Sequence, residues 1–169
     1  WTSVNSGNWS DPLNWSGGTV ADGEGSTANF STVDLLSFPT VTLDSARTNG
    51  SLVFGDTDVL TPGGWILTNS TLTLSNSSAT PVITVNAMNS IGLGFDATND
   101  VIVLSVLAGG QGLIKKGGGT LTLANTNVMG SVQIDEGYVA PTKGTSLGTG
   151  NQEVRYNGGG LRFPTGAAN

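Results

Sequence analysis

Three aromatic residues beyond residue 38 are of the types that bind sugars: Trp65, Tyr138 and Tyr156. An exposed ring stacks on the apolar face of a pyranose, and nearby polar groups bond to the sugar hydroxyls. Arg155 directly precedes Tyr156 and has donors for such bonds. The sequence therefore predicts that these four residues bind carbohydrate. Two alternatives stay open, namely that Trp65 packs over the core as a lid and that Tyr156 is itself a core residue.

The chain has no histidine and no cysteine. It therefore lacks the residues for a Ser-His-Asp triad, a thiol nucleophile, a thiolate metal site or a disulfide framework. Pairs of carboxylates remain as candidates for acid–base chemistry, namely Asp56 with Asp58, Asp96 with Asp100, and Asp135 with Glu136. Aspartates in turns commonly bond to their own backbone, so we expect these pairs to be structural and the chain to be non-catalytic.

The turn that contains Asp56 and Asp58 is also a candidate for a calcium ion. Calcium takes about six to eight oxygen ligands. The two carboxylates and the loop carbonyls would supply some of them, but no repeated calcium-binding motif accompanies them. We expect no cofactor, with calcium at this turn as the alternative.

Charge is sparse and unevenly placed, with a net charge of −6 and only 11% charged residues. Five of the six basic residues follow residue 100, namely Lys115, Lys116, Lys143, Arg155 and Arg162. This basic second half hints at an acidic polysaccharide as the ligand. Six basic residues in all do not form a nucleic-acid surface, and no apolar run approaches the ~18 residues of a membrane span. We therefore expect neither nucleic-acid binding nor membrane insertion.

From about residue 40, short segments of alternating apolar and polar residues follow one another, separated by Gly, Asn, Asp or Ser. Alternation with a period of two indicates β-strands, and the composition, with 26 glycines, favours strands and turns over helices. The sequence therefore predicts an all-β fold. The segments are Thr40–Asp44, Ser51–Gly55, Trp65–Ser75, Pro81–Ala87, Ile91–Phe95, Val101–Leu107, Gly112–Lys116, Thr120–Ala124, Ser131–Asp135, Tyr138–Ala140, Glu153–Tyr156 and Gly160–Phe163.

Very short strands with small or medium aliphatic inward residues favour a solenoid of stacked coils, with a β-sandwich as the alternative. The first 38 residues differ from the rest because they hold Trp1, Trp9 and Trp15. A solenoid exposes its core at each end and needs a cap there. We predict one continuous domain with an aromatic-rich N-terminal cap in residues 1–38 and solenoid coils in residues 39–169.

The segment 112–139 (GLIKKGGGTLTLANTNVMGSVQIDEGYV) resembles the passenger-associated β-strand repeat of bacterial autotransporters. That repeat reads approximately G-L-T-K-T-G-x-G-T-L-T-L-x-x-x-N-T-Y-x-G-x-T-x-I-x-x-G-T-L, and the best match is the Gly-rich turn followed by Thr-Leu-Thr-Leu at 117–123. The spacing of Trp1, Trp9 and Trp15 resembles the start of passenger-type regions in large secreted planctomycete and verrucomicrobial proteins.

The resemblance implies a right-handed parallel β-helix that is secreted or displayed at the cell surface, and it brings no catalytic residue. On this pattern four aliphatic residues point inward, namely Leu121, Leu123, Val132 and Ile134, while Thr120, Thr122 and Gln133 face solvent. Tyr138 stands where the repeat has threonine. It faces outward if Val139 faces inward, because neighbours in a strand point to opposite sides.

Two functions fit these observations. The chain is predicted to be a non-catalytic polysaccharide-binding module of a larger secreted or surface bacterial protein, gripping glycan through exposed aromatics. The alternative is a passive structural stalk or adhesin segment of an autotransporter-like passenger, which contacts the neighbouring domains of its own chain.

Overall fold

The computed structural model describes residues 1–88, 100–150 and 152–163. These residues form strands with three short 3-10 helices, at Pro12–Asn14, Ser16–Gly18 and Gly144–Leu147, so the predicted all-β class is confirmed. The predicted strand Ile91–Phe95 lies outside the described residues. The strands are β1 (Gly7–Asn8), β2 (Thr27–Phe30), β3 (Thr40–Leu43), β4 (Arg47–Asn49), β5 (Ser51–Phe54), β6 (Trp65–Asn69), β7 (Thr71–Leu74), β8 (Val82–Val85), β9 (Val101–Val103), β10 (Val106–Gly109), β11 (Leu113–Lys116), β12 (Thr120–Leu123), β13 (Val128–Met129), β14 (Val132–Ile134), β15 (Tyr138–Pro141), β16 (Val154–Tyr156) and β17 (Gly160–Leu161).

The strands form three sheets, and strands that follow each other in sequence lie in different sheets. Sheet A has the order β1-β3-β6-β9-β12-β15-β17, sheet B the order β16-β14-β11-β8-β5-β2, and sheet C the order β13-β10-β7-β4. Every strand pair among the described residues is parallel. Parallel neighbours cannot be joined by hairpins. The chain therefore visits other sheets before it returns to pair with an earlier strand.

The register of the strands places like residues above one another and builds the core. In sheet A, Val41 pairs with Leu67, which pairs with Val103, which pairs with Leu123. None of these side chains is more than 1% exposed. The four residues predicted to point inward, Leu121, Leu123, Val132 and Ile134, are likewise fully buried. Rows of stacked aliphatic side chains thus fill the space between the sheets.

The predicted exposure of two threonines is wrong. Thr120 and Thr122 are 2% and 6% exposed, whereas Gln133 is half-buried. Thr122 pairs with Ile102 and Ala140 on the row that faces away from Leu121 and Leu123. All four residues of β12 are buried, so both faces of this strand are covered. Strand alternation alone therefore does not predict which of its side chains are exposed.

The three tryptophans at the start form an aromatic cluster over the first strands. Trp1, Trp9 and Trp15 are 3%, 0% and 6% exposed, and each has its ring centroid between 5.4 and 5.7 Å from that of Phe30. Phe30 in turn stacks on Phe54 at 5.0 Å with nearly parallel rings. The strands β1 and β2 lie within residues 1–38 and pair with β3 and β5. The division of the chain at residue 38 stays a prediction.

One glycine lies where two neighbouring strands are too close together for a side chain. Gly109 at the end of β10 has φ +136°, and a Cβ there would lie 2.3 Å from the carbonyl oxygen of Leu74 in the neighbouring strand. Its neighbour Gly110 has nothing within 4 Å of the same position.

We expect Gly109→Ala to lower the free energy of unfolding by about 2 kcal/mol, because the backbone conformation and the Leu74 carbonyl both oppose a Cβ. Gly110→Ala is the matched control and should stay within about 0.5 kcal/mol of the wild type. Urea unfolding followed by circular dichroism measures both. Equal stability of the two variants would contradict the close approach at Gly109.

Candidate functional site

Trp65 lies in the core and cannot stack on a sugar. Its side chain is 0% exposed, its ring centroid lies 5.5 Å from that of Phe30, and its indole Nε1 donates to the carbonyl of Gly55 at 3.1 Å. Trp65 pairs with Val101, which faces the interior. The contact role predicted for Trp65 is therefore corrected to the alternative, a ring packed over the core.

Tyr138 faces outward as predicted, since it is 42% exposed while Val139 is fully buried. The guanidinium carbon of Arg162 lies over its ring, 4.6 Å from the centroid. A cation at this distance is attracted to the ring face. Tyr138 thus presents an amphipathic surface, but one face of its ring is already occupied.

Tyr156 and Arg155 lie on β16, the edge strand of sheet B. Tyr156 pairs with the inward-facing Ile134 but is itself 58% exposed, so its assignment to the core or to a contact surface stays a prediction. Arg155 pairs with the outward-facing Gln133, and its guanidinium forms a salt bridge of 2.7 Å with Glu153. This salt bridge raises the pKa of Arg155 and lowers that of Glu153.

The four predicted residues therefore do not form one site. Trp65 is in the core, Tyr138 is on sheet A, and Arg155 and Tyr156 are on sheet B. Arg162 contacts Tyr138 and not Tyr156, a contact that depends on the pairing of β15 with β17. Sequence order places Arg162 nearer to Tyr156 and gives no sign of this pairing.

The acidic pairs accept hydrogen bonds from groups in their own and in neighbouring turns. A carboxylate oxygen of Asp56 accepts bonds from the N–H groups of Leu35 and Asp58, and Asp58 accepts one from Leu60. Asp135 is bonded by the side chains of Gln133 and Asn157, which lower the pKa of its carboxyl. In the part of the chain that the structure describes, no three acidic side chains lie close enough together to hold a metal ion. The Asp96 of the third pair lies outside that part.

Sequence reasoning also missed a buried lysine, Lys115. Lys115 points inward from β11 with 0% exposure, and it pairs with Ile83 and Ile134. Its ammonium donates to three backbone carbonyls, those of Lys116 at 2.9 Å, Gly117 at 2.7 Å and Glu136 at 3.2 Å. The side chain thus ties together the turns that follow two successive strands of sheet B.

Burial lowers the pKa of Lys115 to about 8, because desolvation penalises the charged form more than the carboxylates of Asp100 and Glu136 favour it. Asp100 is itself buried and accepts bonds from the N–H groups of Met88 at 3.1 Å and Thr120 at 2.6 Å. Lys115 and Asp100 therefore serve as internal supports of consecutive rungs. The alternation of Leu113 and Lys115 was the available signal that this lysine faces inward.

Two long connections between sheet B and sheet A carry exposed apolar side chains. They span residues 31–39 and 55–64, whereas the connections after β11 and β14 span only 117–119 and 135–137. Leu36 and Leu60 are 73% and 65% exposed. The side-chain hydroxyl of Thr61 donates to the carbonyl of Leu35 at 3.1 Å, so the two long loops pack together. They form an apolar projection on one corner of the stack.

The chain is similar in sequence to a bacterial adhesin. Over 124 residues the chain is 35% identical to the adhesin BmaC autotransporter of Brucella suis biovar 1 (strain 1330). The match covers 72% of this chain but only 3% of that protein, so the chain corresponds to a small part of its relative. No family model matches the chain, and no solved structure matches it.

This similarity agrees with the autotransporter passenger resemblance of residues 112–139. The planctomycete or verrucomicrobial character inferred from the opening tryptophans stays a prediction. No helix among the described residues is long and apolar enough to cross a membrane.

Proposed function

We propose that this chain is a non-catalytic segment of the passenger region of a bacterial adhesin exported by autotransport, in which it forms a right-handed parallel β-helix. The observation that carries the proposal is the match to an autotransporter adhesin over 72% of the chain, on a fold whose strand pairs are all parallel in the described residues. Such a segment is secreted or displayed at the cell surface, and its constant partners are the neighbouring segments of its own chain.

The strand order supports the solenoid. Each strand of sheet C pairs with one three places away in the chain, as β4 does with β7 and β7 with β10. A chain that winds through three sheets and advances one strand per turn produces this pattern. Crossovers between parallel strands of one sheet are right-handed in about 98% of cases, which supports the right-handed form.

The exterior suits a spacing and contact role better than a reaction. The long loops of residues 31–39 and 55–64 offer exposed apolar side chains of the kind that protein contacts use. Polysaccharide binding, predicted from the aromatics, loses Trp65, which is buried, and keeps Tyr138 and Tyr156, which are 42% and 58% exposed. We therefore place the passenger role first, and polysaccharide binding stays a prediction.

Surface display tests the proposal. The chain is joined to the translocator domain of an autotransporter, with an epitope tag at its N-terminus, and intact cells are labelled with antibody. We expect the wild type to be displayed and to resist protease. Leu52→Asp should reduce the displayed and resistant fraction several-fold, because Leu52 is 1% exposed and a buried carboxylate without a partner unfolds the stack.

Val53→Asp is the matched control, because Val53 lies next to Leu52 on the outward row of β5 beside Asn29 and Thr84. It should be displayed about as well as the wild type. Failure of the wild type to reach the surface, or equal display of the two variants, would count against a passenger segment built on the inward rows.

A further inference from the structure

Six Asn-x-Ser/Thr triplets lie in the first half of the chain. In a secreted protein this triplet is the acceptor motif for transfer of a sugar to the asparagine side chain, provided that it lies at the surface. The motif is short and arises readily by chance in a chain rich in Ser and Thr, so the structure must show which copy is accessible to a transferase. The six asparagines are Asn8, Asn14, Asn29, Asn49, Asn69 and Asn76.

Four of the six triplets have a buried middle residue. A transferase has to enclose the triplet from the asparagine to the Ser or Thr, and a middle residue packed inside the fold keeps the triplet out of its reach. The triplets that begin at Asn69 and Asn76 remain, with the half-buried Ser70 and the exposed Ser77 in the middle. The buried middle residues are Trp9, Trp15, Phe30 and Gly50.

The amide nitrogens of the two remaining asparagines differ. Nδ2 of Asn69 donates to the carbonyl of Leu43 at 3.1 Å, which holds it on the neighbouring strand β3. Nδ2 of Asn76 has no partner among the described residues. Asn76 is therefore the asparagine whose triplet is accessible and whose nitrogen is not already bonded.

The turn around Asn76 orients this nitrogen. Oδ1 of Asn76 accepts bonds from both the N–H and the hydroxyl of Ser78, each at 3.2 Å. The side chain of Gln111 accepts from the Asn76 N–H at 2.8 Å and donates to its carbonyl at 2.6 Å, which fixes the backbone of the turn on the next strand along the stack. Since the amide oxygen is turned toward Ser78, the nitrogen on the other side of the same carbon is turned away from it.

The turn belongs to an extended connection at one corner of the stack. Residues 75–81 join β7 of sheet C to β8 of sheet B, whereas the other connections from sheet C to sheet B span only residue 50, residues 110–112 and residues 130–131. Ser77, Ser78 and Ala79 are exposed. A sugar attached to this loop would project from the corner and leave the paired strands undisturbed.

We propose that Asn76 is a site of N-glycosylation. The substrate class is a sugar activated at C1 as a diphosphate ester and carried by a glycosyltransferase. The bond from Nδ2 to C1 forms, the bond from C1 to the phosphate oxygen breaks with its electron pair leaving on the diphosphate, and one Nδ2 proton passes to a base of the transferase. The inference rests on the proposed function, because the motif is used in chains that are exported.

The test begins with the purified, folded chain. It is incubated with a soluble bacterial asparagine glycosyltransferase and UDP-glucose, and in a second arm with a membrane oligosaccharyltransferase and its lipid-linked glycan. Peptide mapping by mass spectrometry identifies the modified residues. We expect Asn76 to carry a sugar in at least one arm, and the productive arm identifies the source of the activated sugar.

The buried triplet at Asn49 is the control for the fold. Asn49 is 0% exposed and its Nδ2 donates to the Ser26 hydroxyl at 2.7 Å, so it should stay unmodified in the folded chain. Short synthetic peptides that contain Asn49 or Asn76 should both accept the sugar, because neither is then held by the fold.

Two serines of the same exposed turn give matched variants. Ser78→Ala removes the hydroxyl of the triplet and should lower transfer to Asn76 at least about tenfold. Ser77→Ala changes the middle residue and keeps the triplet, so its transfer should equal that of the wild type. Ser78→Thr keeps a hydroxyl and should restore transfer.

A folded wild type that gains no sugar at Asn76 in either arm would overturn the proposal. So would equal modification of Asn49 and Asn76 in the folded chain, or transfer to Ser78→Ala that matches transfer to Ser77→Ala. Surface display is measured separately, so a chain that is displayed but not modified would reject this inference and leave the passenger role standing. A chain that is modified in these reactions but never displayed would reject the passenger role instead.

Discussion

Replacement of Lys115 by methionine is expected to lower the free energy of unfolding by about 2–4 kcal/mol. Methionine keeps the length and apolar stem of the side chain but removes the donors, so three carbonyls that the ammonium holds at 2.7 to 3.2 Å lose this partner. The buried carboxylate of Asp100 also loses a nearby positive charge. Urea unfolding followed by circular dichroism measures the loss.

Lys116→Met is the matched control, because Lys116 is the next residue of β11 and its side chain is exposed. Its effect should stay within about 0.5 kcal/mol. A Lys115→Met protein as stable as the control would show that the three carbonyl bonds contribute nothing.

The same pair of proteins has an expected dependence on pH. The pKa of Lys115 falls from 10.5 to about 8 on folding, so between these values the unfolded chain holds a proton that the native protein has released. The free energy of unfolding then rises with pH across this window. The wild type should therefore gain stability relative to Lys115→Met between pH 8 and pH 10. A difference between the two proteins that stays flat or shrinks over this range would contradict the lowered pKa.

Replacement of Trp9 by alanine is expected to cost about 3–5 kcal/mol. Trp9 is fully buried, its ring lies 5.2 Å from that of Trp15 and 5.4 Å from that of Phe30, and its Nε1 donates to the carbonyl of Ala21 at 2.8 Å. The substitution leaves a large cavity at the centre of the aromatic cluster and removes that donor. Chemical unfolding and the near-ultraviolet circular dichroism of the rings both report the change.

The damage from Trp9→Ala should be local at first. In stacked architectures each rung contacts only its neighbours, so amide exchange should accelerate in β1, β2 and β3 well before it does in β12 and β15. Leu13→Ala is the control within the same region, because Leu13 is 88% exposed, and it should leave stability unchanged within about 0.5 kcal/mol. Uniform acceleration across all the sheets would contradict the predicted N-terminal cap.

Strand alternation carried most of what could be predicted from the sequence. It identified most strands after residue 39 and inward residues such as Leu121 and Ile134, because a strand beside the core is apolar on one face, but it missed β1, β2, β4 and β13. The same rule predicts that Trp65 points inward, because it is two residues from the buried Leu67 on the same strand. The glycines before Trp65 suggested a loop tip instead, and the contact of its ring with Phe30 comes from a residue 35 positions away.

What could not be predicted depends on the register between rungs. The acceptors of Lys115 lie in its own turn and in the turn that carries Glu136, which meet only because β11 pairs with β14. Arg162 likewise contacts Tyr138 only because β15 pairs with β17 in sheet A. The local sequence predicts which face of a strand a residue lies on. It does not predict which neighbouring strand supplies the residue's contacts.

The lengths of the connections explain why one part of the candidate surface was also missed. Residues 31–39 and 55–64 fit no strand pattern, yet they carry the exposed Leu36 and Leu60 and are joined by the bond from the Thr61 hydroxyl to the Leu35 carbonyl. An insertion at a corner lengthens a turn of the chain without shifting any paired strand. Composition therefore gave no hint that the two loops meet.

Within each of the three sheets, the described strands bond sideways to their parallel neighbours. Rungs in such an arrangement lie about 4.8 Å apart. Tension along the long axis, as on a filament between two cells, would strain the links between one pair of layers before the next. The proposed β-helix would then unfold one layer at a time, and each detached layer would lengthen the chain while the remainder stayed folded.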